Sequence, residues 1–151
     1  MATPTQDLLD RVAIVEVLDR YATALDRRDW ALLDDVFTAD ACVSFRAGEV
    51  IGSAAIVAAI RAHLDGCGPT QHLLGNYRVR ILGDRAESAC YVRAIHVGAA
   101  AQVDRTYEVG IEYRDVLERT GAGWRIAARS FHTLWETGSR ELLGPGPGRS
   151  D

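Results

Sequence analysis

The residues best equipped for chemistry are one aspartate and two histidines. Asp26 closes the run Tyr21-Ala22-Thr23-Ala24-Leu25-Asp26. Residues three and four apart share a helix face, and stepping back from Asp26 reaches Ala22, Leu18, Val15 and Leu8. An acid thus continues a stripe that is otherwise apolar. A carboxylate facing a core is costly without a partner; the alternative is a helix-end acid that leans into water. His72 stands in Pro69-Thr70-Gln71-His72-Leu73-Leu74, and His96 ends the small-residue face of a later strand pattern. Either alone reads as an ordinary core histidine. Both, facing one cavity with a misplaced carboxylate, make a base with an orienting acid. A neutral imidazole takes a proton near pH 7, with a reference pKa of about 6.5. A carboxylate on its other nitrogen fixes the tautomer and stabilises the imidazolium that forms. A second histidine supplies or holds a proton on a departing group. This set suits proton abstraction beside a carbonyl, followed by elimination or isomerisation, with no metal and no cofactor. No serine or cysteine stands in a nucleophile motif. His63, beside Arg61 and Ala62, reads as an exposed helix-end residue, and His132, two residues after Ser130, fits either role.

The elements that must position these residues follow from periodicity. Residues 1 to 6 read as a loose leader. Asp7 can cap a helix running to about Asp26, with Leu8, Leu9, Val12, Val15, Leu18, Ala22 and Leu25 as its apolar side. Asp29 opens a second helix, Trp30 to Phe37, which Thr38-Ala39-Asp40 breaks. Ala41 to Phe45 is a short strand with Glu49 to Ile51 as partner, and Gly52-Ser53 starts a third helix through Leu64. The pattern then turns to strand: Thr70 to Leu82, a Gly83-Asp84 hairpin signal, Ala86 to Val97, Thr106 to Leu117, and Trp124 to Trp135. In the second of these, Ala86, Ser88, Cys90, Val92, Ala94 and His96 form the small, apolar, inward set. Three helices followed by long strands predict an α+β domain over residues 1–143, with a curved antiparallel sheet wrapped on the helices and a pocket between the layers. Residues 144–151, Gly-Pro-Gly-Pro-Gly and after, predict a flexible tail.

Composition narrows the partners. The chain has 151 residues, 48% apolar and 25% charged, with a formal charge of -4. That allows one domain with a real core. No basic run invites nucleic acid, and no long apolar segment invites a membrane. Cys42, Cys67 and Cys90 are scattered and odd in number; they read as small residues in a reducing cytoplasm. Met1 to Asp7 lacks the regions of a secretion signal. The partner expected is a hydrophobic small molecule.

Several segments carry a resemblance. The run from Tyr21 to Phe37, Tyr-Ala-x-Ala-Leu-Asp-x-x-Asp-Trp-x-x-Leu-x-x-x-Phe, resembles the opening of the SnoaL-like proteins, within the nuclear transport factor 2-like superfamily of cone-shaped α+β folds. Thr70-Gln71-His72, Tyr113-Arg114-Asp115 and Gly123-Trp124-Arg125-Ile126 are similar to that family too. The resemblance runs from about Asp7 to Trp135. It implies kinship with scytalone dehydratase, hexachlorocyclohexane dehydrochlorinase and bile-acid 7α-dehydratase, cofactor-free eliminating enzymes built on an Asp–His pair. It places Asp26 on the aspartate and His72 on the histidine. His96 falls on the second histidine of scytalone dehydratase if one residue is deleted near Gly83, and Tyr21 on a tyrosine of the bile-acid enzyme. Two tyrosines of scytalone dehydratase are replaced here by Leu25 and Phe45, which speaks against scytalone as substrate. Leu25, Phe45 and Trp30 become candidate substrate contacts. Arg129 is a candidate for an anionic substrate group or a surface arginine on the outer face.

Three functions stay open on sequence. The first is a dehydratase-type lyase acting on a mostly apolar cyclic molecule. The second is an isomerase or cyclase of a polyketide- or steroid-like ketone. The third is a small-molecule-binding module without catalysis. A homo-oligomer, dimer or trimer, is expected because Tyr91, Ile95 and Val97 make an apolar outer face.

Overall fold

A computed structural model describes residues 3–144. Helix α1 spans Pro4–Arg27, and a 3₁₀ segment follows at Trp30–Asp35. Strands β1 (Phe37–Phe45) and β2 (Gly48–Ile51) precede helix α2 (Ser53–Leu64). Four long strands complete the fold: β3 (Thr70–Leu82), β4 (Arg85–Val97), β5 (Thr106–Thr120) and β6 (Gly123–Gly138). Short 3₁₀ turns stand at Ala100–Gln102 and Arg140–Leu142. The strands form one six-stranded sheet in the order β2-β1-β6-β5-β4-β3. The helices pack on one face of this curved, unclosed sheet, so the α+β cone expected from sequence is the fold observed.

The register puts the chemical residues on the inner face. Thr70 pairs with His96 and His72 with Ala94 across β3–β4, while His96 pairs with Tyr107 across β4–β5. Directly opposed residues share a face. The sheet bends through register shifts in β3, between β5 and β6, and between β1 and β6. Gly110 sits at one of these shifts, and a Cβ there would lie 2.2 Å from the Trp135 indole nitrogen. Only glycine lets that indole cross the strand.

Several local expectations are corrected. The sheet is mixed: β1 runs parallel to β6. Helix α1 starts three residues before Asp7, with the Thr3 hydroxyl accepting from Gln6 N–H as the cap, so Pro4 to Gln6 are helical. The second helix is a six-residue 3₁₀ segment, and Phe37 already belongs to β1. Thr38-Ala39-Asp40 does not break the chain. It sits inside β1, where β1 uses more residues than β6 between Phe37↔Ile126 and Cys42↔Ala128. Of the tail expected at 144–151, residues 145–151 lie outside the described residues, whereas Gly144 is docked, its N–H donating to the His63 carbonyl at 2.9 Å.

The apolar side of α1 is also rotated at its start. Leu8, Leu9 and Val12 are exposed, and Asp10, Ile14, Val17, Leu18 and Tyr21 are buried. Asp10 faces inward because Arg119 from β5 donates two hydrogen bonds to it, at 2.8 and 2.7 Å, and Trp124 from β6 adds a third at 3.2 Å. Helix geometry turns about 100° per residue, so positions two away from Asp10 point to the far side. The Arg119 bonds outweigh the opposing effect of burial, with help from Trp124 and Gln6, and bring the Asp10 carboxyl down to about 2. Asp10→Ala should therefore lower the urea unfolding free energy by about 2–3 kcal/mol, because Arg119 and Trp124 both lose a partner. Leu8→Ser, on the exposed side, should change it by less than about 0.5 kcal/mol.

Candidate active site

Asp26 is held in place by one strand. Its Oδ1 lies 2.7 Å from the His72 Nδ1 and accepts from the Thr70 hydroxyl at 2.9 Å. Its Oδ2 accepts from the His72 backbone N–H at 2.8 Å. The carboxylate is therefore half-buried and paired across to β3, not with an arginine of its own helix. Burial works to raise the Asp26 carboxyl; the hydrogen bonds from the His72 ring and amide, its charge and Thr70 outweigh this and leave the group below the ordinary value. An ionised carboxylate only accepts hydrogen bonds, so a neutral His72 must carry its proton on Nδ1. Its Nε2 then keeps a lone pair on the far side of the ring.

A second layer supports the pair. The chain leaves α1 through Arg28 in a left-handed conformation (φ 55°). That turn sends the Arg28 guanidinium back across the end of α2, where it donates to the Thr70 hydroxyl at 2.9 Å and the Gly68 carbonyl at 2.9 Å. Arg28 thus fastens the start of β3 against the end of α1, and Thr70 relays that constraint to Asp26.

His72 opens onto a cavity of about 330 Å³ between helices and sheet. Tyr21, Leu25, Phe45, His96, Ile60, Leu64, Ala94, Val109, Ile111, Tyr113, Phe131 and Leu143 form its mostly apolar wall. The His72 and His96 rings meet edge to face, with centroids 5.5 Å apart. Burial, then the like charge of His72, pushes His96 down to about 4. Its Nδ1 faces the Tyr107 carbonyl at 3.3 Å, so that nitrogen carries the proton of the neutral ring. Burial raises the Tyr21 phenol against the pull of Arg129, so it stays protonated.

Of the eight site residues expected from sequence, Tyr21, Leu25, Phe45, His72 and His96 line the cavity, and Asp26 stands behind His72. Two do not line it. Trp30 packs against the core and under the Arg61 guanidinium, 5.9 Å from its ring centre. Arg129 is not on the outer face, and Asp115 already matches its charge, while its Nη1 has no hydrogen-bond partner among the described residues. It is fully buried, gives two hydrogen bonds to Asp115 at 2.7 and 2.9 Å, and lies 4.3 Å from the ring centres of both Tyr21 and Tyr113. Burial would lower the arginine, but the Asp115 charge prevails and keeps it cationic. His63, expected to be exposed, lines the cavity, and burial followed by the nearby charge of Arg140 lowers its pKa. His132 is exposed, with its Nε2 3.1 Å from the Ser130 hydroxyl.

Arg46, Tyr107, Thr133 and Arg140 also line the cavity and were not singled out from sequence: Arg46 and Arg140 stand just after strands, and Tyr107 and Thr133 lie within β5 and β6. Thr70 was visible within Thr70-Gln71-His72, but only the register shows that its hydroxyl reaches Asp26. Among the described residues no group of three or more His, Cys, Asp or Glu is arranged to hold a metal ion, and no helix is long and apolar enough to cross a membrane.

The SnoaL-like domain family matches residues 6–130. The chain belongs to that family. An uncharacterized Mycobacterium tuberculosis protein is 35% identical over 127 residues, covering 82% of this chain and 84% of its own. Among solved structures, a Kribbella flavida protein superposes with a TM-score of 0.83 at 25% identity, covering 90% of this chain and 97% of that one. A hexachlorocyclohexane dehydrochlorinase gives 0.82 at 17% identity, over 97% of this chain and all (100%) of the other. A scytalone dehydratase-like protein of Novosphingobium aromaticivorans gives 0.81 at 20%, over 96% and 97%. These likenesses establish the cone-shaped fold of this SnoaL-like chain.

The state of His96 has a measurable consequence. A histidine whose folded pKa lies below its unfolded value of about 6.5 stabilises the fold fully above that value. As pH falls from about 6.5 towards 4, the unfolded chain takes up the proton first and stability drops. The His96 contribution is on the order of 3 kcal/mol across that window. Urea unfolding from pH 7.5 to 4 should show this loss in the wild type and a shallower slope in His96→Asn.

Proposed function

We propose that this SnoaL-like protein is a cofactor-free lyase that eliminates water, or a comparable leaving group, from a mostly apolar cyclic substrate. The carrying observation is the 2.7 Å contact between Asp26 and the His72 Nδ1, with the rest of the imidazole facing an apolar cavity. His72 Nε2 takes the proton from the carbon beside a carbonyl. The electron pair forms the new double bond as hydroxide departs from the next carbon. The imidazolium returns its proton to that hydroxide, so water leaves and the base is restored. Asp26 holds the tautomer and stabilises the imidazolium. Tyr21, still protonated, donates to the substrate carbonyl as negative charge grows on its oxygen. His96 is neutral at pH 7 and serves as a hydrogen-bond acceptor towards the substrate rather than as the proton donor. Leu25 and Phe45 shape the wall.

The names of the dehydrochlorinase and dehydratase-like neighbours support elimination as the reaction type. The same dyad also suits isomerisation or cyclisation of a ketone, since both begin with the same proton abstraction. A dimer or trimer fits the exposed Tyr91 on β4 and the exposed Leu134 and Trp135 on β6.

Cyclic β-hydroxy ketones are the substrates to screen, with products read by mass spectrometry. Loss of water supports the lyase, and unchanged mass points to the isomerase or cyclase. On any substrate turned over, His72→Ala and Asp26→Asn should each reduce kcat by roughly 10²–10⁴-fold. Full turnover by His72→Ala would refute the assignment. Thr70→Val, which removes one donor to Asp26 while leaving the dyad in place, should cost about tenfold.

A further inference from the structure

The cavity mouth is electropositive, although the chain as a whole is acidic. Arg46, Arg140 and His63 all line it, from the β1–β2 turn, the 3₁₀ turn after β6 and the end of α2. Glu136 is the acid at this rim, and its oxygens are taken. It accepts from both terminal nitrogens of Arg46 at 3.3 Å and from the Tyr107 hydroxyl at 2.7 Å. The Tyr107 bond, then those of Arg46, hold its carboxyl below the ordinary value, so it stays ionised. Arg140 is left over. Among the described residues Glu136 is the one acid within 4.0 Å of its guanidinium, beyond hydrogen-bond reach, and Glu141 beside it in sequence is taken by Arg105. The Arg140 charge is nonetheless felt inside the mouth: after burial it is the next cause that lowers His63, and it works against the burial and the Glu136 bond that push Tyr107 up to about 12.

We propose that Arg140 binds a carboxylate on the substrate, so that the ligand class is an amphipathic carboxylic acid: an apolar ring body inside the cavity and one negative charge at its mouth. The substrate reading above supplies the cavity; the anionic group is the new element. Two arginines against one glutamate leave a surplus of one positive charge, which matches a carboxylate monoanion better than a phosphate dianion. A guanidinium offers a planar fork that fits a carboxylate through two parallel hydrogen bonds. Among the described residues no carboxylate hydrogen-bonds that fork in Arg140; its nearby polar partner is the Tyr107 hydroxyl, which already donates to Glu136. The backbone beside it is fixed, because Leu142 and Leu143 are buried and Gly144 donates to the His63 carbonyl. A Cβ at Gly144 would lie 2.0 Å from the Ala62 carbonyl oxygen, so this segment sits tightly on the end of α2.

Equilibrium binding tests this without turnover, and so separately from the lyase assignment. Matched pairs of aromatic and alicyclic carboxylic acids and their methyl esters would be titrated calorimetrically, starting with 2-naphthoate and methyl 2-naphthoate. The corresponding aryl phosphate serves as the dianionic arm. At least one acid should bind tenfold or more tightly than its ester. Arg140→Gln should abolish that preference while leaving ester binding unchanged, and Arg140→Lys should restore part of it. The His63 pKa, followed by NMR, should rise on binding the acid and not the ester. The proposal is overturned if no acid in the set outbinds its ester, if the phosphate binds more tightly than every acid, or if Arg140→Gln weakens acid and ester alike.

Discussion

The whole site depends on one carboxylate held at the junction of a helix and a strand. Asp26 stands in the last turn of α1, and β3 presents to it the hydroxyl of Thr70, the amide of His72 and the ring of the same histidine. Three donors satisfy a charge that burial alone would make unfavourable. Because two of them come from His72, the backbone and the imidazole are fixed together, and the ring has one orientation. Arg28 extends this outward by tying Thr70 and the loop before β3 to the end of α1. The His72 imidazole is thereby positioned by covalent geometry and hydrogen bonds on rigid elements, as the proposed proton transfer requires.

A second charge pair, fully buried, lies behind two phenols of the cavity wall. Arg129 and Asp115 have no exposed side-chain surface, and the guanidinium lies against Tyr21 and Tyr113. The pair is costly to bury, and its cation–π contacts offset part of that cost. What it gives the site is a fixed positive charge behind two phenols that line the cavity. A donor aimed at a developing enolate benefits from such a charge, since the surroundings have a low dielectric and need not reorganise. Apolar walls, the His72 imidazole and two cation-backed phenols are the parts that the proposed enolate chemistry requires.

Much of the fold was legible because its signals are local. Gly83-Asp84 marks the β3–β4 turn, and the small-residue alternation from Ala86 to His96 set the inner face of β4. Asp26 was legible as a misplaced charge, and its partner as a histidine opening a strand. What failed was decided by distant contacts. The start of α1 is turned by Arg119 and Trp124, more than a hundred residues away in sequence, so Leu8, Leu9 and Val12 lost the core to Asp10. The parallel β1–β6 pairing and the inward position of Arg129 depend on register, which no single segment encodes. Arg140 and Arg46 reach the cavity only because the 3₁₀ turn after β6 and the β1–β2 turn meet there.

The most direct test of the central claim is the protonation pattern of His72 by ¹⁵N NMR at neutral pH, in the wild type and in Asp26→Asn. A base oriented by Asp26 predicts the tautomer with the proton on Nδ1, a strongly deshielded Nδ1 proton from the bond to the carboxylate, and loss of both features in Asp26→Asn. A His72 that carries its proton on Nε2, or one whose spectrum is unchanged by the substitution, would contradict the claim, because its lone pair would then not face the cavity as a base held by Asp26.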